Sequence, residues 1–543
     1  MSRITPLLLA TSVVLAACAG PASTVSTGLP PAGNRQQAAA PAPAAVPLLL
    51  KPDSATADWH RLDADQTGMI GVGSERALRE LLGDRRPQQV VVAVVDGGVD
   101  TLHRYLSPNL WINSKEVAGN GRDDDGNGFV DDTRGWNFPV TAGGDALDHD
   151  TFELTRLYAA CHGQPAGGSI TAPDAATCNT LASEYQKKVS EISGTLTQIM
   201  SIDRMYQQVT AELRTALGGD SVTRARVEAL RPGNERQSQA RAVYLQLAES
   251  GIDGEMLADA KKAYESQATW GLDTMYNAHA GPGSAGSRDV MGPDAMHGTH
   301  VSGIIAAVRD AANPVQGIAT SVRIMAVRAV PDGDERDEDI ARAIRYAADQ
   351  GARIINMSFG KPYSPGKASV DSAMVYAAAR GVLLVHAAGN DGENNDSTPA
   401  YPSRTTLDGA QIPNWLEVGA SSWKGPDKLA TSFSNYGKKT VDLFAPGEDI
   451  LSTVPGGGVK RESGTSMAAP VVSGVAALIM GYFPSLTASE VRDILLQSVR
   501  RFPGQLVDKP GAEGEKVSFG ELSASGGVVD AYAAVKLALE KTR

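Results

Sequence analysis

Gln89–Val95 reads Gln-Val-Val-Val-Ala-Val-Val, an apolar and largely β-branched run with no alternation. A strand apolar on both faces must be covered on both, which is the situation of a strand inside a parallel sheet. Shorter runs of the same kind recur at Val322–Val330, Arg353–Ser358, Val382–Ala388 and Thr440–Phe444. Between several of them lie helix-like stretches, Asp337–Gln350 and Val370–Arg380, and Val528–Leu539 predicts a terminal helix. Strand alternating with helix predicts an α/β fold on a parallel sheet, with functional groups gathered beyond the carboxyl ends of its strands.

Residues 181–270 break this rhythm. Leu181, Tyr185, Val189, Ile192, Leu196, Ile199, Tyr206, Val209, Leu213 and Leu217 fall mostly three and four apart, one apolar stripe on a long helix. Gly218-Gly219-Asp220 and Arg231-Pro232-Gly233 interrupt it, and a second helical stretch runs from Glu235 to Trp270. The pattern predicts a helical hairpin packed on itself and inserted into the α/β frame.

Lys and Arg number 50 against 62 Asp and Glu, a net charge of −12, which excludes a nucleic-acid backbone as partner. Three cysteines exclude a disulfide-built scaffold. Residues 1–18 carry one early Arg and an apolar core too short to span a bilayer, as in a secretory signal peptide. Leu15-Ala16-Ala17-Cys18 resembles a bacterial lipobox, in which Cys18 would be lipidated after cleavage of residues 1–17. Ala19 resembles the outer-membrane sorting pattern of Gram-negative lipoproteins, so the expected location is the cell envelope, through a lipid anchor in the membrane. Residues 18–49, rich in Ala and Pro, form a tether. Cys161 and Cys178 could pair in an oxidising compartment if their geometry permits.

Three segments carry chemistry: Val94-Val95-Asp96-Gly97-Gly98 at a strand end, His297-Gly298-Thr299-His300 heading a helical stretch, and Gly464-Thr465-Ser466-Met467-Ala468-Ala469-Pro470. Each alone reads equally well as a turn, a satisfied structural histidine or a helix cap. Together, in the order Asp, His, Ser, they resemble the subtilases, the subtilisin-like serine peptidases. The resemblance implies a subtilisin-like parallel sheet flanked by helices, with the helical hairpin inserted between the catalytic Asp and His. It divides the chain into a peptidase domain, 50–160 and 276–543, around a mainly helical insertion, 161–275. Trp59–Gly83 is expected to pack on the catalytic domain in place of a typical pro-domain.

By the same resemblance Ser466 is the nucleophile, His297 the general base and acid, and Asp96 the carboxylate that orients the imidazole. Asn390, in Val385-His386-Ala387-Ala388-Gly389-Asn390, supplies an oxyanion donor. His300 is read as structural. Asn356-Met357-Ser358-Phe359-Gly360 matches the strand to which an extended protein or peptide substrate adds. Ser358, Phe359 and Gly360 then face Ala387, Ala388 and Gly389 across an open, mainly apolar primary pocket. Gly97 departs from the family, which usually has Ser or Thr there, and a hydroxyl that could hold Asp96 is missing. Ser302, in place of the usual Ala, is a smaller change.

Asp123-Asp124-Asp125-Gly126-Asn127-Gly128-Phe129-Val130-Asp131 clusters hard oxygen ligands around a tight turn. Asp123, Asp125, Asn127, the Phe129 carbonyl and Asp131 would hold a structural Ca2+, although Arg134 stands where an EF-hand needs Glu. An acidic solvated turn is the other reading. No cofactor is required for the chemistry. The expected function is a serine endopeptidase working through an acyl-enzyme. The alternative is a catalytically silent scaffold binding a partner through the insertion. An esterase elbow is excluded because Ala468 replaces its second glycine.

Overall fold

A computed structural model describes residues 54–543 except 169, 280, 282, 283, 311 and 513. The signal peptide, Cys18 and the tether lie outside the described residues.

The strands are β1 Val90–Asp96, β2 Gly135–Asn137, β3 Val322–Arg328, β4 Ile354–Met357, β5 Leu383–Ala387, β6 Trp415–Ser421 and β7 Leu443–Pro446. They continue as β8 Ile450–Val454, β9 Gly458–Glu462, β10 Arg500–Arg501, β11 Leu506–Asp508, β12 Lys516–Ser518 and β13 Gly527–Val528. Nine form one sheet in the order β10-β13-β7-β6-β5-β4-β1-β3-β2, parallel except at the β10–β13 edge. This is the expected subtilisin-like α/β architecture.

Side chains of β1 explain its unbroken apolar run. Val92 and Val94 enter the core beneath the helices Met296–Ala306 and Thr465–Tyr482. Ala93 and Val95 enter the opposite core, beneath Asp337–Asp349 and Lys367–Ala379. Thr465–Tyr482 is long and apolar enough by composition to cross a membrane, but 94% of it is buried as the central core helix. Its neighbour Met296–Ala306 touches β8 only because residue 303 is glycine, where a Cβ would stand 2.2 Å from Thr453 Oγ1. The segment after residue 54 packs on this domain as expected, with Trp59 fully buried.

The stripe from Leu181 to Leu217 becomes the 42-residue helix Ala175–Ala216, about 63 Å long at 1.5 Å per residue. Its return, the helical stretch predicted over Glu235–Trp270, is divided into pieces. Helices Glu235–Glu249 and Gly254–Ser266 are separated by a turn, and a π-helical turn Gln267–Gly271 follows. Gly251 adopts φ +73° and Asp253 caps the second helix by accepting from the Met256 N–H, so local capping outweighs continuity. Cys161 and Cys178 are bonded, tying helix Glu153–Cys161 to the first turn of the long helix.

Candidate active site

Asp96 is the last residue of β1, and its carboxylate Oδ1 accepts from His297 Nδ1 at 2.8 Å and from the Gly97 N–H at 2.8 Å. The carboxylate therefore selects the tautomer with the proton on Nδ1 and the lone pair on Nε2. His297 lies in the first turn of its helix, and Gly298 makes the approach possible. A Cβ at 298 would fall 2.2 Å from the Gly98 carbonyl and 3.1 Å from Asp96 Cβ. Asp96 Oδ2 is buried and has no partner among the described residues, the gap expected from glycine at position 97.

Ser466 opens the central helix at its second position, where the backbone N–H has no intrahelical acceptor and the helix dipole favours negative charge. Ser466 Oγ donates to the Ser358 carbonyl at 3.1 Å, and Ser358 Oγ donates to the Ser466 carbonyl at 3.0 Å. The second bond has a sequence cause: Pro470 cannot supply the helical N–H that would normally reach that carbonyl. A Ser466–His297 hydrogen bond is absent among the described contacts, and His297 Nε2 is buried without a partner. Catalytic hydrogen bonds often close only when substrate binds.

Asn390 follows β5. Its Oδ1 accepts from the Thr465 N–H at 2.8 Å and from Thr465 Oγ1 at 3.0 Å, so the amide orientation is fixed and Nδ2 is left facing outward from that pair. Gly389 at φ +110° admits Asn435, whose Nδ2 lies 2.4 Å from where a Cβ would be. The structure thus joins Asp96 to His297, and Ser466 to Ser358 and through Thr465 to Asn390, with Asp96, Ser358–Gly360 and Ala387–Gly389 at the ends of the neighbouring strands β1, β4 and β5. His300 is wholly buried, with Nε2 on the Lys460 carbonyl at 3.0 Å, and burial lowers its pKa to about 3. It is structural.

Two supports escaped the motif reading. Ser473 Oγ donates to Asn356 Oδ1 at 2.8 Å, and Asn356 Nδ2 donates to Ser358 Oγ at 2.9 Å, a buried chain ending at Ser466. The available signal was a polar residue inside each apolar run. The second is His386, whose Nδ1 meets Glu417 Oε1 at 3.0 Å beneath β5.

The acidic loop requires a correction. Among the carboxylates of the five predicted calcium ligands, Asp123 and Asp125 are grouped, with Glu116 joining them within 4.8 Å, and Asp131 is not. Asp131 turns away to accept from the N–H groups of Gly119, Asn120 and Gly121 and from Arg288. Asn127 Oδ1 accepts from the Phe129 N–H, and Phe129 packs on Trp136 and Tyr346. Three carboxylates with no ion pair among the described residues fit a hard cation by charge and donor type.

Residues 87–521 match the model of the Subtilase family. The thermophilic serine proteinase of Bacillus sp. (strain AK1) is 40% identical over 228 residues, 42% of this chain and 50% of that protein. The cell wall-associated protease of Bacillus subtilis (strain 168) is 40% identical over 216 residues, 40% of this chain and 22% of that one. Subtilisin BL of Lederbergia lenta is 37% identical over 215 residues, 39% of this chain and 72% of that one. The matched stretch thus spans half the length of the first of these relatives or less of the second. With 435 consecutive residues matching one family, the chain belongs to the subtilases.

Proposed function

We propose that this chain is a serine endopeptidase that cleaves extended segments of protein substrates. Ser466 Oγ attacks the scissile carbonyl while His297 Nε2 takes its proton, and Asp96 stabilises the resulting imidazolium. Asn390 Nδ2 and the Ser466 N–H receive the oxyanion. The imidazolium then gives its proton to the leaving amine, and water repeats the sequence on the acyl-enzyme. The observation that carries the reading is the 2.8 Å Asp96–His297 pair, formed between residues 201 apart in sequence at the end of β1, next to the strand that leads to Ser358 and its contact with Ser466. The catalytically silent scaffold is the reading that would replace it. Hydrolysis of an internally quenched peptide mixture by wild type, lost in both Ser466→Ala and His297→Ala, is the expected result. Equal hydrolysis by all three folded proteins would overturn it.

The lipobox-like Leu15-Ala16-Ala17-Cys18 supports an exported protein lipid-anchored at Cys18, in the outer membrane of a Gram-negative cell. Globomycin-sensitive processing and acylation, lost in Cys18→Ser, test it. The Glu116, Asp123 and Asp125 group supports a structural Ca2+.

A further inference from the structure

The segments leaving β3 and β4 flank the end of β1, since Asp96 pairs with Arg328 on one side and Val95 with Met357 on the other. On the peptidase reading, from which this inference starts, they are the two walls between which an extended substrate lies. Successive residues of a strand present their main chain to opposite edges. Ser358 touches Ser466, so it marks the wall nearest the scissile bond. Lys361 exchanges both main-chain hydrogen bonds with Tyr401 at 3.0 Å and so belongs to the edge away from the groove. The groove edge therefore offers Ser358 and Gly360, and Gly360 has no main-chain partner among the described residues. The next position on that edge is Pro362, which has no N–H and at which the chain bends.

The opposite wall stops at the same level. Asp332 pairs outward with residues 148–150, its N–H donating to the Asp148 carbonyl and its carbonyl accepting from the Asp150 N–H. The chain then leaves the extended path: Gly333 adopts φ +134° against the Asp150 backbone, and Arg156 donates to the carbonyls of both Asp334 and Glu335. The Glu335 carbonyl is already taken, by Lys361 Nζ at 2.7 Å and Arg156 at 3.2 Å. The same ammonium pairs with Asp337 at 3.0 Å and with Glu153 at 2.6 Å, all of them buried. Lys361 thus staples one wall to the other one residue beyond Gly360.

We infer that the acyl side of the groove is short. It engages the main chain of about three substrate residues before the scissile bond and makes no selective contact beyond them. The substrate class is any segment exposing such a tripeptide in extended form, including one at the very start of a chain.

The test is a series of acyl-capped peptides with one fixed leaving group and one fixed P1–P3 sequence, extended from two to six residues and cleaved by the full chain. We expect kcat/KM to rise up to the third residue and to stay within about twofold from the third to the sixth. A tenfold or larger rise on adding the fourth or fifth residue would overturn the inference. So would failure to cleave any length by an enzyme that a fluorophosphonate still labels. Absence of labelling would instead overturn the peptidase reading on which this one rests. Lys361→Met, if folded, should acquire a dependence on the fourth residue; the wild-type series decides the matter without it.

Discussion

Glu335, whose carbonyl Lys361 and Arg156 hold, has a buried carboxyl with Oε1 without a partner among the described residues. Burial raises its pKa to about 7, against an ordinary 4.5, despite the favourable field of Lys361. A raised folded value means that the neutral acid is the form the fold prefers. Its contribution is present in full below about pH 4.5 and is lost as pH rises through about 7. The difference of about 2.5 units corresponds to roughly 3 kcal/mol at most, fully felt by about pH 8. Glu335→Gln keeps the shape of the neutral form and cannot ionise. Both proteins, made as Ser466→Ala to prevent autolysis, would be compared by thermal unfolding at pH 5 and pH 8.5. The variant should lie within about 1 °C of its parent at pH 5 and exceed it at pH 8.5 by about 3 °C, taking roughly 1 kcal/mol per degree for a domain of this size. A difference between the two proteins that does not change with pH would refute the reasoning.

Three further outcomes are expected. Asn390→Ala should lower kcat by about 10²–10³ with little change in KM, a magnitude measured for the corresponding donor in subtilisin rather than derived from this chain. Calcium should raise the midpoint of thermal unfolding, and Glu116→Gln should remove the rise; an equal rise in that variant would dismiss Glu116 as a ligand. Cys161→Ser with Cys178→Ser should destabilise the helical arm, the cross-link of a loop this size being worth about 3 kcal/mol. Hydrogen exchange over residues 175–216 should therefore accelerate more than exchange over β1, and uniform acceleration would show the bond to be global in effect.

The parallel sheet was legible because β1, β3, β4 and β5 are apolar at nearly every position, a pattern that burial on both faces requires. β6 was not. Trp415–Ser421 contains Glu417, which a periodicity argument assigns to solvent. In the fold His386 and Trp415 Nε1 both bond its carboxylate, and it is buried. The same blindness hid the staple. Lys361, Glu153, Arg156 and Asp337 look like surface residues until a helix from one part of the chain brings their opposite charges together out of water. Asp96, His297 and Ser466 were readable because each stands at an element end beside glycines, and Gly298 against Gly98 shows a close contact that demands one. The grouping of Glu116 with Asp123 and Asp125 was not legible because a carboxylate seven residues upstream of Asp123 leaves no local spacing to recognise.

The central claim is that Asp96, His297 and Asn390 make Ser466 a nucleophile. The most direct measurement is fluorophosphonate labelling of the folded chain followed by peptide mass mapping. The account predicts one adduct, on Ser466, absent after heat denaturation and strongly slowed in His297→Ala. A folded, calcium-loaded protein that takes no label at Ser466, or takes it equally fast without His297, would contradict it.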